Sequence, residues 1–233
     1  MKVEQLKIGG VEIEVTFKDI KNLHLSVHPP QGKVTISSPA FYDLEKVKIY
    51  AATKLGWIKK EQLKFKNQAR ESERQMINQE SHYLFGERYL LEVVVAKRNS
   101  ISLKGKKIVL FVIDGNDTAL KREVLYKFYR KALRVKLNSL LAHFADKMQL
   151  EIPEFKIRTM KTKWGSCAVT NGRLWFNIEL TKKPIECIEY VVVHELVHLL
   201  ERHHNKRFVL LMDQYYPNWR TQKKLLNELP LIY

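Results

Sequence analysis

The sequence predicts an α+β fold, with a β-rich region holding one helix at residues 1–116 and a mostly helical core at residues 117–233. Three observations carry that reading. Short alternating apolar segments, punctuated by turn residues, dominate the first half. Leu120 to Met148 places apolar residues at three- and four-residue spacing over a long stretch, the period of an amphipathic helix. Tyr190 to Leu200 is an apolar run without Gly or Pro, which most easily forms a buried helix. With 233 residues the chain can bury a sizeable core and form one large or two small domains.

Residues 2–40 read as short strands. Val11-Glu12-Ile13-Glu14-Val15 alternates, His24-Leu25-Ser26-Val27 follows, and Pro29-Pro30-Gln31-Gly32 makes a turn into Lys33-Val34-Thr35-Ile36. Asp43 suits the N-cap of a helix carrying Leu44, Val47, Ala51, Leu55 and Ile58 on one face. Lys64 to Glu80 is polar and charged, an exposed extension of that helix or a linker. Strand signals return at Arg88 to Val95 and Lys107 to Ile113, ended by Asp114-Gly115-Asn116-Asp117. No internal repeat is visible.

In the second half, Val124, Phe128, Ala132, Leu137, Leu141, Phe144 and Met148 mark the buried stripe of a long backing helix. Phe155 to Cys167 and Arg173 to Leu180 then read as two strands of a hairpin, joined through Thr170-Asn171-Gly172. Pro184 suits the first turn of the apolar helix. That helix is expected to close near Glu201-Arg202, with Asn205 capping a last helix that runs to Tyr216 before Pro217.

Within the apolar helix stands His194-Glu195-Leu196-Val197-His198. Residues four apart lie one above the other on the same helical face, so the two imidazoles can grip one metal ion. Glu195, beside the first of them, is placed to touch a metal-activated water rather than the metal, the H-E-x-x-H arrangement. The bland alternative is two satisfied histidines and a solvated glutamate. It conflicts with the flanks, because a carboxylate in a largely buried helix is costly unless it is paired or doing chemistry. A hydrolytic site needs three protein ligands and an open position. His204, in the tight turn beyond the helix, is the best candidate for the third; His203, Cys167 and Cys187 are its competitors.

Trp164-Gly165-Ser166-Cys167, Leu174-Trp175-Phe176-Asn177 with Leu180, Tyr190 to His198, and His204-Asn205-Lys206-Arg207-Phe208 together resemble the YgjP-like metallopeptidase-domain family of zincins. The resemblance extends to Asp43 through Trp57-Ile58-Lys59-Lys60 and to Leu84-Phe85-Gly86-Glu87-Arg88-Tyr89, so it covers nearly the whole chain. It implies a zincin-like catalytic core built of backing helix, hairpin, H-E-x-x-H helix and carboxy-terminal helix. It also implies His194, His198 and His204 as ligands of Zn2+ or another divalent metal, Glu195 as the catalytic carboxylate, and a peptide bond as the substrate. The chain departs from the family's pattern at His203, where relatives commonly carry Asn.

The remaining roles are read from position. Tyr190, one turn before His194, and Arg207, near the third ligand, are candidates to stabilise a developing oxyanion. Glu201, three residues after His198, is a candidate to orient a ligand imidazole. Ser166 and Cys167 have no activating base near them in sequence, which favours packing or loop-shaping roles over a cysteine nucleophile.

Charge widens the choice of partner. The net charge is +16, with 20 basic against 13 acidic residues in 1–116 and 21 against 12 in 117–233, so the excess is spread rather than gathered in a tail. Lys121 to Lys136 holds seven basic residues, and Lys156, Arg158, Lys161 and Lys163 form a cluster without an acid. Such surfaces attract polyanions. Two rival readings follow. One is a nucleoside triphosphate pyrophosphatase, a label that relatives of this family also carry (for UTP, among others), with the Lys156 to Lys163 cluster holding the triphosphate. The other is an accessory protein bound to DNA, for which the sequence offers charge but no aromatic ladder or groove-reading motif. The amino-terminal region would then serve as a substrate or partner module. Met1 to Gln5 opens no apolar leader and no apolar run approaches the roughly 18 residues that span a bilayer, so a cytoplasmic location away from membranes is expected, with both thiols reduced.

Overall fold

The computed structural model describes residues 2–28, 31–67, 74–160, 162–168 and 172–229, apart from the side chains of residues 64, 65 and 67. The expected turn at Pro29-Pro30, the Thr170-Asn171 part of the hairpin turn, and Lys161 lie outside them. The fold is α+β, as expected, and divides into two compact units, Met1–Ala69 and Arg70–Ile232.

In the first unit β1 (Val3–Ile8), β2 (Val11–Lys18), β3 (His24–His28) and β4 (Lys33–Pro39) form a sheet in the order β1-β2-β4-β3, with β2 and β4 parallel. Alternation decides which side chains go inward: Val11, Ile13 and Val15 are buried while Glu12 is exposed. Two helices, α1 (Leu44–Thr53) and α2 (Leu55–Asn67), supply Val47, Ala51 and Ile58 to the same core. Asp43 caps α1, its carboxylate accepting from the Lys46 N–H at 2.8 Å. The single helix expected here is broken at Lys54, whose φ of −100° and ψ of 1° leave helical geometry.

The second unit opens with β5 (Ser81–Leu84), β6 (Glu87–Val95), β7 (Ser100–Lys104) and β8 (Lys107–Val112), ordered β5-β6-β8-β7 with β6 and β8 parallel. This repeats the strand order of the first unit. The sequence reading grouped these strands with the amino-terminal region. They fall in the second unit because Leu91, Ile108, Leu110 and Val112 share a core with Leu125, Tyr129, Leu133 and Leu137 of the long helix α3 (Thr118–Met148).

Asp117 caps α3 by accepting from the Leu120 N–H at 2.9 Å, and Gln149 ends it in the left-handed region at φ 55°. Val124, Leu137, Leu141, Phe144 and Met148 are buried as expected, and Phe128 and Ala132 pack partly buried against the same cluster. Leu133 and Leu137 have no exposed surface. Leu133→Ala is therefore expected to lower unfolding free energy by about 2–5 kcal/mol in urea titration; a loss well under 1 kcal/mol would mean that this helix is not part of the stabilising core.

After α3 come β9 (Phe155–Arg158), β10 (Gly165–Ala168) and β11 (Arg173–Asn177), ordered β10-β11-β9. The antiparallel hairpin exists as β10 and β11. The span expected as its first strand, Phe155 to Cys167, is instead two strands on opposite sides of β11, with β9 parallel to it. Asn177 explains the interruption. Its buried amide Nδ2 donates to the carbonyls of Met160 at 2.8 Å and Lys163 at 2.9 Å, holding the chain out of the ladder between the two strands. Asn177 Oδ1 also accepts from the Glu179 N–H at 3.2 Å, capping a 3₁₀ turn over Ile178–Lys182. Three helices complete the unit: α4 (Ile185–Leu200), preceded by Pro184; α5 (Lys206–Tyr215); and α6 (Trp219–Glu228), which periodicity did not reveal. No helix among the described residues is long and apolar enough to cross a membrane.

Candidate metal centre

Helix α4 is buried along most of its length, with Cys187, Ile188, Val192, Val193, Leu196 and Val197 all inaccessible to solvent. One face is different. It carries His194 and His198, one turn apart, and both are half-buried. At Glu201 the backbone turns to extended geometry, and Asn205 starts α5 four residues later, its side chain accepting from the Phe208 N–H at 3.0 Å. His204 sits in the turn so formed. The candidate ligand nitrogens of His194, His198 and His204 all lie within 4.8 Å of one another, and the Nε2 atoms of His194 and His204 are 3.1 Å apart. Phe208 underlies all three rings, with centroids 5.0, 4.9 and 4.6 Å from those of His194, His198 and His204. His203 is not in the group of three; its N–H donates to the Glu201 carboxylate at 3.1 Å.

The donor state of the rings follows from their surroundings. His198 Nδ1 lies 3.2 Å from the Glu201 carbonyl. A carbonyl only accepts, so Nδ1 carries the proton and Nε2 keeps its lone pair for a cation. Glu201 thus orients the imidazole through its main chain, whereas the sequence reading relied on its position alone. Burial pushes the His194 imidazole down to about 3, the neighbouring His198 and His204 adding to the shift, and burial lowers His198 as well. Both rings are neutral at pH 7, the state a metal ligand needs.

Glu195 is 5% exposed. Burial pushes its carboxyl up to about 8, against the opposing pull of Lys163. Its Oε2 has no hydrogen-bond partner among the described residues, an arrangement that native interiors rarely tolerate without a functional reason. From the other side, β10 presses on it: a Cβ at Gly165 would stand 2.6 Å from Glu195 Oε1. Only hydrogen at that position leaves room for the carboxylate. Gly165→Ala is expected to displace the Glu195 side chain and cut turnover at least tenfold while metal content stays stoichiometric. Unchanged turnover would show that the contact is slack.

These groups line one hollow of about 420 Å³, together with Lys163, Trp164, Ser166, Cys167, Tyr190, Val191 and Arg202. The donor set fits a divalent metal on its own terms. Two nitrogens each about 2.0–2.1 Å from a tetrahedral zinc stand about 3.3 Å apart, close to the spacing of the His194 and His204 Nε2 atoms. Two neutral imidazoles gain nothing from so short an approach unless one donates to the other or a cation lies between them.

The other expected residues divide. Tyr190 lines the hollow, its ring 5.8 Å from that of His194, and burial followed by the charge of Glu195 pushes its hydroxyl up to about 12, so it stays a donor. Arg207 is exposed and does not line the hollow; Arg202 does, and position in sequence did not point to it. Of the anion-binding cluster, Lys163 alone lines the hollow among the described residues. Lys156 and Arg158 lie on β9, across β11 from the site, with the Arg158 guanidinium 5.4 Å from the Trp175 ring centre. In the other basic cluster Lys121 is buried, Lys127 pairs with Glu123, Arg130 donates to the Ile157 carbonyl, and Arg134 and Lys136 lie over Phe155 and Phe85. Much of that charge is engaged in packing. Cys167 lines the hollow too, but burial, then Glu195, pushes its thiol up to about 11, which keeps it protonated and a poor nucleophile. Phe208, Gly165 and Asn177 were missed as site-shaping residues, although all three stand in the motifs quoted above.

Comparison with known proteins yields a family model over most of the chain and partial likenesses to solved structures, among them two metallopeptidase zymogens. The model described as YgjP-like, metallopeptidase domain, matches residues 21–229. No curated protein matches the chain. The metallopeptidase zymogen of Pyrococcus abyssi abylysin is similar with a TM-score of 0.38 and 19% identity, over 42% of this chain and 99% of that one. The metallopeptidase zymogen of Methanocaldococcus jannaschii jannalysin gives 0.35 and 20%, over 39% and 91%.

Proposed function

The chain belongs to the YgjP-like metallopeptidase-domain family, and on that premise we propose that it is a zinc-dependent peptidase in which Glu195 is the general base. The observation that carries this reading is the meeting, in one hollow, of three imidazoles and a buried carboxylate oxygen that has no partner among the described residues. His194, His198 and His204 would hold the ion. When bound, it supplies a Lewis acid that polarises the scissile carbonyl and makes a water acidic enough to attack near neutral pH.

Burial holds the Glu195 carboxyl high in the metal-free protein, and the charge of a bound cation beside it would favour its ionised form. As the carboxylate, Glu195 takes the proton of the attacking water and returns it to the leaving amine. Glu195 is itself buried, so that proton has few other destinations. Tyr190 keeps its hydroxyl proton and is the donor in this hollow suited to a developing oxyanion. Strand β10 has β11 on one side only, so its outer edge, Gly165–Ala168, is open among the described residues. An extended peptide adding to that edge would be carried past Glu195 by main-chain hydrogen bonds. Of the Lys156 to Lys163 set that the triphosphate reading relied on, Lys163 alone lines the hollow among the described residues.

The test is a substrate panel with the metal-loaded protein. Casein and mixed peptides are expected to be cleaved, with activity abolished by a chelator and restored by zinc. Release of pyrophosphate from UTP or another nucleoside triphosphate, without cleavage of any peptide, would overturn the proposal.

A further inference from the structure

The charges around the hollow are one-sided. Its lining holds Lys163 and Arg202 as cations and Glu195 as the sole acid, and that acid is buried. Helix α6 adds to the same side. Tyr190 lines the hollow and stacks on Trp219 with the rings 6.5 Å apart and 12° from parallel. Trp219 in turn lines a neighbouring hollow of about 470 Å³ with Arg220, Lys223, Lys224, Asn227 and Glu228. The aromatic pair is therefore a wall shared by the two hollows.

The cations of α6 are not equivalent. Arg220 is held by the Asp213 carboxylate, and Lys224 pairs with Glu228 at 3.9 Å. Lys223 has no acidic partner among the described residues, and its ammonium lies 5.7 Å from the centre of the Trp219 ring that stacks on Tyr190. Lys163 and Arg202 likewise form no ion pair among the described residues. All three side chains are exposed, so each keeps its charge available to a ligand.

We infer that Lys163, Arg202 and Lys223 select an acidic peptide, placing carboxylates of the substrate on either side of the bond that is cut. The inference rests on the peptidase reading and narrows its substrate class. The carboxylate can belong to an Asp or Glu side chain or to the chain terminus, and both meet an ammonium or guanidinium in the same way. Desolvation by the Tyr190–Trp219 wall strengthens such pairing relative to open water. The reaction is peptide hydrolysis alone: the C–N bond breaks, the oxygen of water goes to the acyl carbon and its proton to the leaving amine.

The experiment uses the full-length, zinc-loaded protein and quenched fluorescent peptides of one sequence, with Glu, Gln or Lys at the positions flanking the scissile bond. Each is made as free acid and as amide. The expected order of kcat/KM is Glu over Gln over Lys, with on the order of tenfold per step, and the Glu advantage should shrink as salt rises. K163E and K223E, both at exposed side chains, should keep stoichiometric zinc and reverse the preference toward Lys. A preference confined to free acids would assign the carboxylate to the chain terminus and make the enzyme end-directed. Equal rates for the three peptides, or an unaltered preference in both variants, would overturn the inference while leaving peptidase activity standing. No cleavage of any peptide would remove the peptidase reading and this inference with it.

Discussion

Glu195→Gln should bind metal with unchanged stoichiometry and hydrolyse its substrate about 10²- to 10⁴-fold more slowly, the range that a positioned general base contributes. The amide has the shape of the carboxylate, so the contact with Gly165 and the apolar packing of α4 are preserved. What disappears is an acceptor able to take up a proton. The substitution also replaces a buried group that can ionise, and whose Oε2 has no partner, with one that cannot. The metal-free variant should therefore melt no lower than the wild type. Metal analysis, steady-state kinetics and a thermal melt on the same preparation separate these effects. Retention of more than a tenth of wild-type turnover would exclude Glu195 as the base. Loss of metal would show that the carboxylate helps to hold the ion.

His194→Ala and His204→Ala should each abolish stoichiometric metal binding, and hydrolysis with it. Loss of a partner that merely orients a metal ligand costs roughly 10–100-fold in affinity, and loss of a ligand should cost more. The two positions differ in what else they disturb. His194 is half-buried within α4 and its ring contacts Tyr190 and Phe208, so its removal also opens a cavity and should lower stability. His204 is exposed in a turn whose shape depends on Asn205 and Glu201, so its removal should leave the melting temperature of the metal-free protein nearly unchanged. His203→Ala, one residue away, should keep the metal. Normal metal content in His204→Ala together with its loss in His203→Ala would overturn the assignment of the third ligand.

Much of the fold was legible in the chain because it is written in local periods. The α+β class, the extent of α3, the caps at Asp43 and Asn205, and the burial of α4 all follow from side-chain spacing and capping chemistry. Asp117 was read as part of the loop that ends the strands, and the structure gives it a second use at the start of the helix. Strands were harder. β5 and β7 are short, and β9 pairs parallel to a strand that follows it, which no pattern within Phe155 to Cys167 can announce. The break after Arg158 depends on an asparagine 19 residues further along, and the grouping of β5–β8 with α3 depends on which apolar faces meet.

The candidate site divides in the same way. The sequence by itself determined that His194 and His198 share a helical face with Glu195 between them, because four residues are close to one turn of any α-helix. It also determined that a third imidazole follows within a short turn. Only the tertiary structure decided that His204 rather than His203 comes to the other two, that Gly165 leaves just enough space for the carboxylate, and that Arg202 and Lys223 rather than Arg207 and Lys156 stand near the hollow. The first set is governed by rotation and rise along one segment. The second is governed by distances between segments, and those are set by how the apolar faces of α4, α5, α6 and the β10–β11 hairpin close on a common core.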